Sequence, residues 1–151
     1  MRLITAYEGA LGDHFAGSAT DGPYNAHTDR PAMSAQAGDV TGLHGLDVGR
    51  GAGHYVAELR ARGAAEVVGV EGSATLLRHA HDRAGGDAGV TLHHHDLEEP
   101  LAFLSDDSFD LAVMALVHHH LEARTLLLAE LHRVLRPGGT PLVSTVHPTA
   151  D

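Results

Sequence analysis

Five short apolar runs, each six or seven residues long, recur along the chain at 43–48, 66–71, 90–95, 109–115 and 141–146. Their length and their Val and Leu content predict buried strands. Three of the four intervals between them carry helical periodicity. Gly53 to Arg62 places Val56 and Leu59 on one face and stops at Gly63. Ser73 is a capping residue for a helix through Arg83, which Gly85 and Gly86 end. Leu121 to Arg136 carries Leu127, Leu131 and Val134 at helical spacing before Pro137-Gly138-Gly139. In the remaining interval, a short helical segment is expected after Pro100, leading to a turn at residues 105–108.

Strands alternating with helices at this spacing predict an α/β protein with a doubly wound, mostly parallel sheet, helices on both faces. Residues 1–28 are Gly-rich and weakly periodic, and Asp29-Arg30-Pro31 predicts a helix start running to about Ala37. The chain therefore divides into an N-terminal cap segment, 1–40, and an α/β domain, 41–151. In doubly wound sheets, ligands bind outside the carboxyl ends of the strands, so the residues that end each strand are the candidates for chemistry.

The first strand end carries GLDVGRGAG, Gly45 to Gly53. Its glycines allow a tight turn and close backbone approach, and free N–H groups at the following helix start favour a negative group. A dinucleotide fingerprint, G-x-G-x-x-G, would need a third glycine where His54 or Val56 stands. The remaining pattern is an acidic residue, Asp47, followed by Gly49, Gly51 and Gly53. Glu71 ends the second strand, 18 residues after Gly53, where its carboxylate either accepts from ribose hydroxyls or is simply solvated. Asp96 follows the third strand and suits either an exocyclic amino group or a local turn.

Four blocks in this order, LDVGRGAG, VVGVEGS, HDLEEPL to SFDLAV, and HRVLRPGG, resemble class I S-adenosylmethionine-dependent methyltransferases, from about Tyr24 to the last residue. The resemblance implies a Rossmann-like fold, S-adenosylmethionine as cofactor and methyl transfer to a small-molecule acceptor. It implies that Asp47 and the backbone of Gly49 to Gly53 hold the amino-acid end of the cofactor, Glu71 its ribose, and Gly72, Ser73, Asp96 and Leu97 its adenine. Ala115 would border the sulfonium. Similar enzymes often carry a small residue where this chain has Arg50, whose charge can pair with the cofactor carboxylate, whose bulk can obstruct the turn, or which can face solvent. They also continue into an antiparallel hairpin completing a seven-stranded sheet. A chain ending at Asp151 is expected to lack it, as an active but incomplete enzyme or as a non-catalytic cofactor-binding module.

Composition narrows the function classes further. A formal charge of −10, with ten Lys and Arg among 151 residues, argues against a nucleic-acid binder. Without cysteine, thiol catalysis and disulfides are excluded, and cytoplasmic location is the expectation, there being no apolar run of membrane length. Protonating all 14 histidines would move the charge from −10 to +4, so solubility should depend on mildly acidic pH. His93-His94-His95 lies on a strand, whose alternating side chains cannot converge on one metal, and no metal is expected. His118-His119-His120 follows the fourth strand, where His119 or His120 can act as a general base or merely start the next helix. Tyr24, Asn25 and His27 suit a lid over the site as well as plain surface.

A fifth strand without a hairpin beside it would be an open edge, and open edges recruit partners. The expected outcome is a homodimer or larger assembly through residues 141–146, measured by light scattering. A stable monomer at high micromolar concentration would contradict it.

Overall fold

The computed structural model describes residues 7–49 and 51–147; Arg50 lies outside them. Five strands, β1 (His44–Val48), β2 (Glu66–Glu71), β3 (Val90–His94), β4 (Phe109–Ala115) and β5 (Leu135–Ser144), form one sheet in the order β3-β2-β1-β4-β5, every neighbouring pair parallel. Strand order reverses between β1 and β4, the place where such sheets open a crevice. The helices are α1 (Gly9–Asp21), α2 (Arg30–Ala37), α3 (His54–Ala61), α4 (Ala74–Ala84) and α5 (Arg124–Val134).

The period-two alternation of the strands sorts their side chains into two cores. Leu46, Val48, Val70, Ala112 and Met114 pack on one face with Leu127, Leu131 and Val134 of α5. Val67, Leu111 and Val113 pack on the other with Val56 and Leu59 of α3 and Met33 of α2. By the same alternation Asp47 shares a face with Gly45, and Glu71 with Val67 and Gly69, so both acids point toward the layer of α3. The strand ends are tied together there: Gly49 N donates to Val70 O (2.8 Å) and His95 N to Glu71 O (2.9 Å).

The element boundaries depart from the sequence expectation in five places, each with a local cause. The weakly periodic N-terminal segment holds a 13-residue helix, α1, whose small residues Gly12, Ala16 and Ala19 are buried; a Cβ on Gly12 would meet Thr75 at 2.8 Å, so close packing replaces an apolar stripe. Asp29 does not cap α2: it sits in a single π-helical turn, Asn25–Asp29, with helical φ and ψ, and makes no cap hydrogen bond. No helix follows Pro100: the segment makes a single turn, Leu104 N donating to Leu101 O (3.0 Å), and its other backbone groups bond to α5. Leu101 N donates to Glu130 (2.8 Å), and Arg133 donates to Leu101 O and Leu104 O.

The helix expected from Leu121 starts at Arg124, since the N–H groups of Glu122 and Ala123 donate to Glu98 (3.0 and 2.7 Å). It ends at Val134, and β5 begins at once, six residues before Pro141 and stopping two short of Val146. Leu135 pairs with Phe109 and Thr140 with Leu111, so residues 136–139 bulge between them, with Gly138 at φ +82° taking the bend. β5 is one edge of the sheet, and Val143 on it is exposed.

Candidate functional site

A cavity of about 260 Å³ opens at the carboxyl ends of β1 and β4. Asp47, Gly49, Gly51, Glu71 and Ala115 line it, as do His119 and His120. Asp47 is 1% exposed and Glu71 4%. Burial of a carboxylate is costly unless hydrogen bonds compensate, and Glu71 has two from backbone N–H groups. Its Oε2 accepts from Gly51 N (2.8 Å) and its Oε1 from Ser73 N (3.0 Å). One side chain thus joins the glycine turn after β1 to the start of α4.

The turn needs glycine for two separate reasons. At Gly49 φ is +68° and a Cβ would meet Val117 Cγ2 at 2.4 Å, closing the gap between the turns after β1 and β4. At Gly53 φ is +87° and a Cβ would meet Ala80 of α4 at 3.0 Å. Gly53 therefore packs α3 against α4 and does not line the cavity.

Gly72, Ser73, Asp96 and Leu97 also stand off the cavity wall. Ser73 caps α4, accepting from Leu76 N (3.2 Å), while its hydroxyl donates to Tyr7 O (2.6 Å). Gly72 O lies 2.9 Å from His94 Nε2. Asp96 Oδ1 accepts from Glu98 N (3.0 Å), the turn contact that was the plainer of its two readings. Leu97 is 2% exposed in the core beside α5. Of the expected lid residues Tyr24 and Asn25 line the cavity and His27 does not.

Periodicity does not signal the part of the wall that α1, the π-helical turn and the first residue of α2 supply through Phe15, Ala19, Asp29 and Arg30. Tyr55 donates to Asp29 Oδ2 (2.7 Å), and burial, then Asp29, push its phenol well above the usual range. Leu116, at φ +57°, turns the chain out of β4 at the cavity edge, its N–H donating to Ser144 O (2.9 Å). Positive φ at a non-glycine residue is the kind of backbone strain found at functional sites, but nothing in the residue type signals it.

The rings of His119 and His120 are 4.0 Å apart, and Tyr7 meets His120 edge-on at 6.2 Å. Partial burial lowers the pKa of both imidazoles, helped at His119 by its His neighbours. They belong to a 3-10 turn, His118–His120, separate from α5. In the other cluster His93 and His95 share a face and pack on Phe103 at 4.7 and 4.8 Å. Among the described residues, no group of three or more His, Asp and Glu is placed to hold a metal ion, and no helix is long and apolar enough to cross a membrane.

A parallel sheet with its cavity at the reversal of strand order, floored by a glycine turn and a buried carboxylate, defines an α/β protein of the class that binds nucleotide-like cofactors. Residues 46–143 match the family described as methyltransferase domain. The chain belongs to the class I S-adenosylmethionine-dependent methyltransferases. It is 30% identical over 128 residues to an uncharacterized protein of Haemophilus influenzae, covering 82% of this chain and 50% of that one. It is 32% identical over 112 residues to an uncharacterized methyltransferase of Mycobacterium ulcerans, covering 74% and 42%. The crystal structure of an S-adenosylmethionine-dependent methyltransferase from Mesorhizobium loti superposes with a TM-score of 0.75 at 34% identity, over 82% of this chain and 56% of that one. The chain thus spans about half the length of these relatives.

His54, on the cavity wall at the start of α3, titrates far from its ordinary value. Burial, then Arg83 and Arg30, lower its pKa from 6.5 to about 4, and its Nε2 lies 3.2 Å from Thr20 Oγ1. Between those values the unfolded chain takes up a proton that the folded chain refuses, so this contribution to stability is complete above pH 6.5 and falls away toward pH 4. Thermal melts of His54→Gln should therefore show a shallower loss of Tm over that window than the wild type; an identical slope would contradict the assignment.

Proposed function

We propose that the cavity binds S-adenosylmethionine and that the whole protein transfers its methyl group to a small-molecule acceptor. The observation that carries the reading is the buried Glu71 carboxylate held between Gly51 N and Ser73 N at the cavity floor. Each carboxylate oxygen accepts more than one hydrogen bond, so Glu71 can accept from a backbone N–H and a ribose hydroxyl together. The residues suit the cofactor elsewhere too. Gly49 and Gly51 let the chain approach a ligand closely, with Asp47 beneath them toward the amino-acid end. The adenine end then runs past Glu71 toward Gly72 and Ser73 and the loop at Asp96 and Leu97, which follows the residue that bonds Glu71 O.

When bound, the cofactor supplies a methyl group already activated on a sulfonium. The protein's part is then orientation, exclusion of water and, for an acceptor that bears a proton, its removal. Ala115 and Leu116 border the reacting end by their place at the end of β4 and just after it. His119 and His120 stand beside them, and their lowered pKa keeps them neutral, as a general base must be before it acts.

Calorimetry tests the reading. S-adenosylhomocysteine should bind, NAD should not, and Glu71→Ala should weaken binding by on the order of 2 kcal/mol through loss of charge-assisted contacts. NAD binding alone would contradict the reading, and unchanged affinity in the variant would remove Glu71 from the site.

A further inference from the structure

The end of β5 serves the turn that follows β4. Leu116 N donates to Ser144 O (2.9 Å) and reaches Ser144 Oγ as well (3.2 Å). One residue on, Thr145 Oγ1 lies 3.2 Å from His119 Nδ1, and the next residue, Val146, lines the cavity together with Leu116 and His119. Three consecutive residues thus act on one turn: Ser144 fixes its start, Thr145 meets an imidazole and Val146 adds to the wall.

These contacts separate the three histidines of the turn. Its backbone is closed by His120 N on Val117 O (2.9 Å) and Leu121 N on His118 O (3.3 Å), while Arg124 donates to Leu121 O (2.7 Å) and reaches His119 O (3.4 Å). His119 and His120 line the cavity and His118 does not. His120 is exposed, its ring in contact with the rings of His119 and Tyr7. Among the described residues, His119 is the one of the three whose ring makes a hydrogen bond. A neutral imidazole has one N–H and one bare nitrogen, and the partner of either nitrogen decides the state of the other. A threonine hydroxyl can donate or accept, but only by accepting from Nδ1–H does it leave Nε2 bare, as a proton acceptor requires. Thr145 is exposed, so water can take its own proton while its oxygen accepts. With Nδ1 turned to Thr145, Nε2 is the nitrogen left for the cavity.

We propose that Thr145 is a positioning residue: it accepts from His119 Nδ1–H and fixes that ring with Nε2 bare, which makes His119, of the two lining histidines, the one that receives the acceptor's proton. The assignment rests on the methyl-transfer reading above and deepens it. The proton passes from an O–H or N–H of the acceptor to Nε2, the atom that loses it takes the methyl group, and the electron pair of the broken bond stays on sulfur. The imidazolium then bears hydrogen on both nitrogens, with Thr145 still accepting from one. The segment after β5 is thereby part of the reacting end.

Long-range proton–nitrogen correlation spectra report which imidazole nitrogen bears hydrogen, and His119→Gln identifies the signals of His119. In mildly alkaline solution the wild-type ring should carry hydrogen on Nδ1, Thr145→Val should move it toward Nε2, and Thr145→Ser should keep the wild-type form. Hydrogen on Nε2 in the wild type would overturn the proposal, as would an unchanged ring in Thr145→Val. Should circular dichroism show Thr145→Val unfolded, the wild-type spectrum still decides. Titration by the same spectra tests the place of His119 at the reacting end. A sulfonium nearby disfavours the imidazolium, so His119 should titrate lower with S-adenosylmethionine bound than with S-adenosylhomocysteine bound, by on the order of one pH unit. Arg124, His118 and His120 face His119 in both complexes and cancel in the comparison. Equal titration with the two ligands would overturn the proton-accepting role and leave the cofactor reading standing. Failure of both ligands to bind would overturn that reading and this role with it.

Discussion

A carboxylate withdrawn from water needs fixed donors, and at Glu71 those donors come from two different elements. Oε2 takes the N–H of Gly51 in the turn after β1, and Oε1 takes the N–H of Ser73 at the start of α4. The backbone on either side is committed as well: Val70 O receives Gly49 N, and Glu71 O receives His95 N at the end of β3. Three strand ends and one helix start therefore meet at a single residue. Removing that side chain takes from Gly51 N and Ser73 N the carboxylate they share, and cuts one of the bonds that tie the turn to β2.

The cavity follows from that junction. With the glycine turn pinned to β2, the open space lies between the turn and the end of β4, where Val117 fits against Gly49 and Leu116 leaves the strand at positive φ. α1, with Asp29 and Arg30 at the start of α2, closes the opposite side, and α1 does so by packing small residues: Gly12 against Thr75, and Ala16 with Ala52 and Leu76. The N-terminal wall is joined to the core through α4 itself, since Glu8 accepts from Ala74 N (2.8 Å) and Gly9 N donates to Thr75 Oγ1 (2.9 Å). The helix that Ser73 caps thus supports the floor and the wall of the site together.

What the sequence reveals and conceals follows from which forces leave a pattern. Strands β1, β2 and β4 are legible to within a residue because each is buried on both faces and reads as an apolar run, while β3, half-buried at the sheet edge, is placed as closely by Val90 and Leu92. The glycines, Asp47 and Glu71 are legible because a strand end followed by a tight turn restricts residue type. Helix α1 is not: it packs through Gly and Ala, which leave no apolar stripe. Nor is the start of β5, where Leu135 pairs with Phe109 directly after a helix and the Pro-Gly-Gly run becomes a bulge instead of a terminator. The missing helix after Pro100 and the late start of α5 share a cause: Glu98, Glu130 and Arg133 take up backbone groups far away in sequence, which no local pattern records. Arg30 and Tyr55 escape notice for the same reason.

On the proposed function, the buried carboxylate at the end of β2 and the bend after β1 would hold one adenosyl ligand between them. A crystal structure of the protein grown with S-adenosylhomocysteine tests it most directly. Ribose hydroxyls are expected within hydrogen-bond distance of both Glu71 oxygens, with the amino-acid end over Gly49 and Gly51. A ligand seated elsewhere, or a ribose turned away from Glu71, would contradict it.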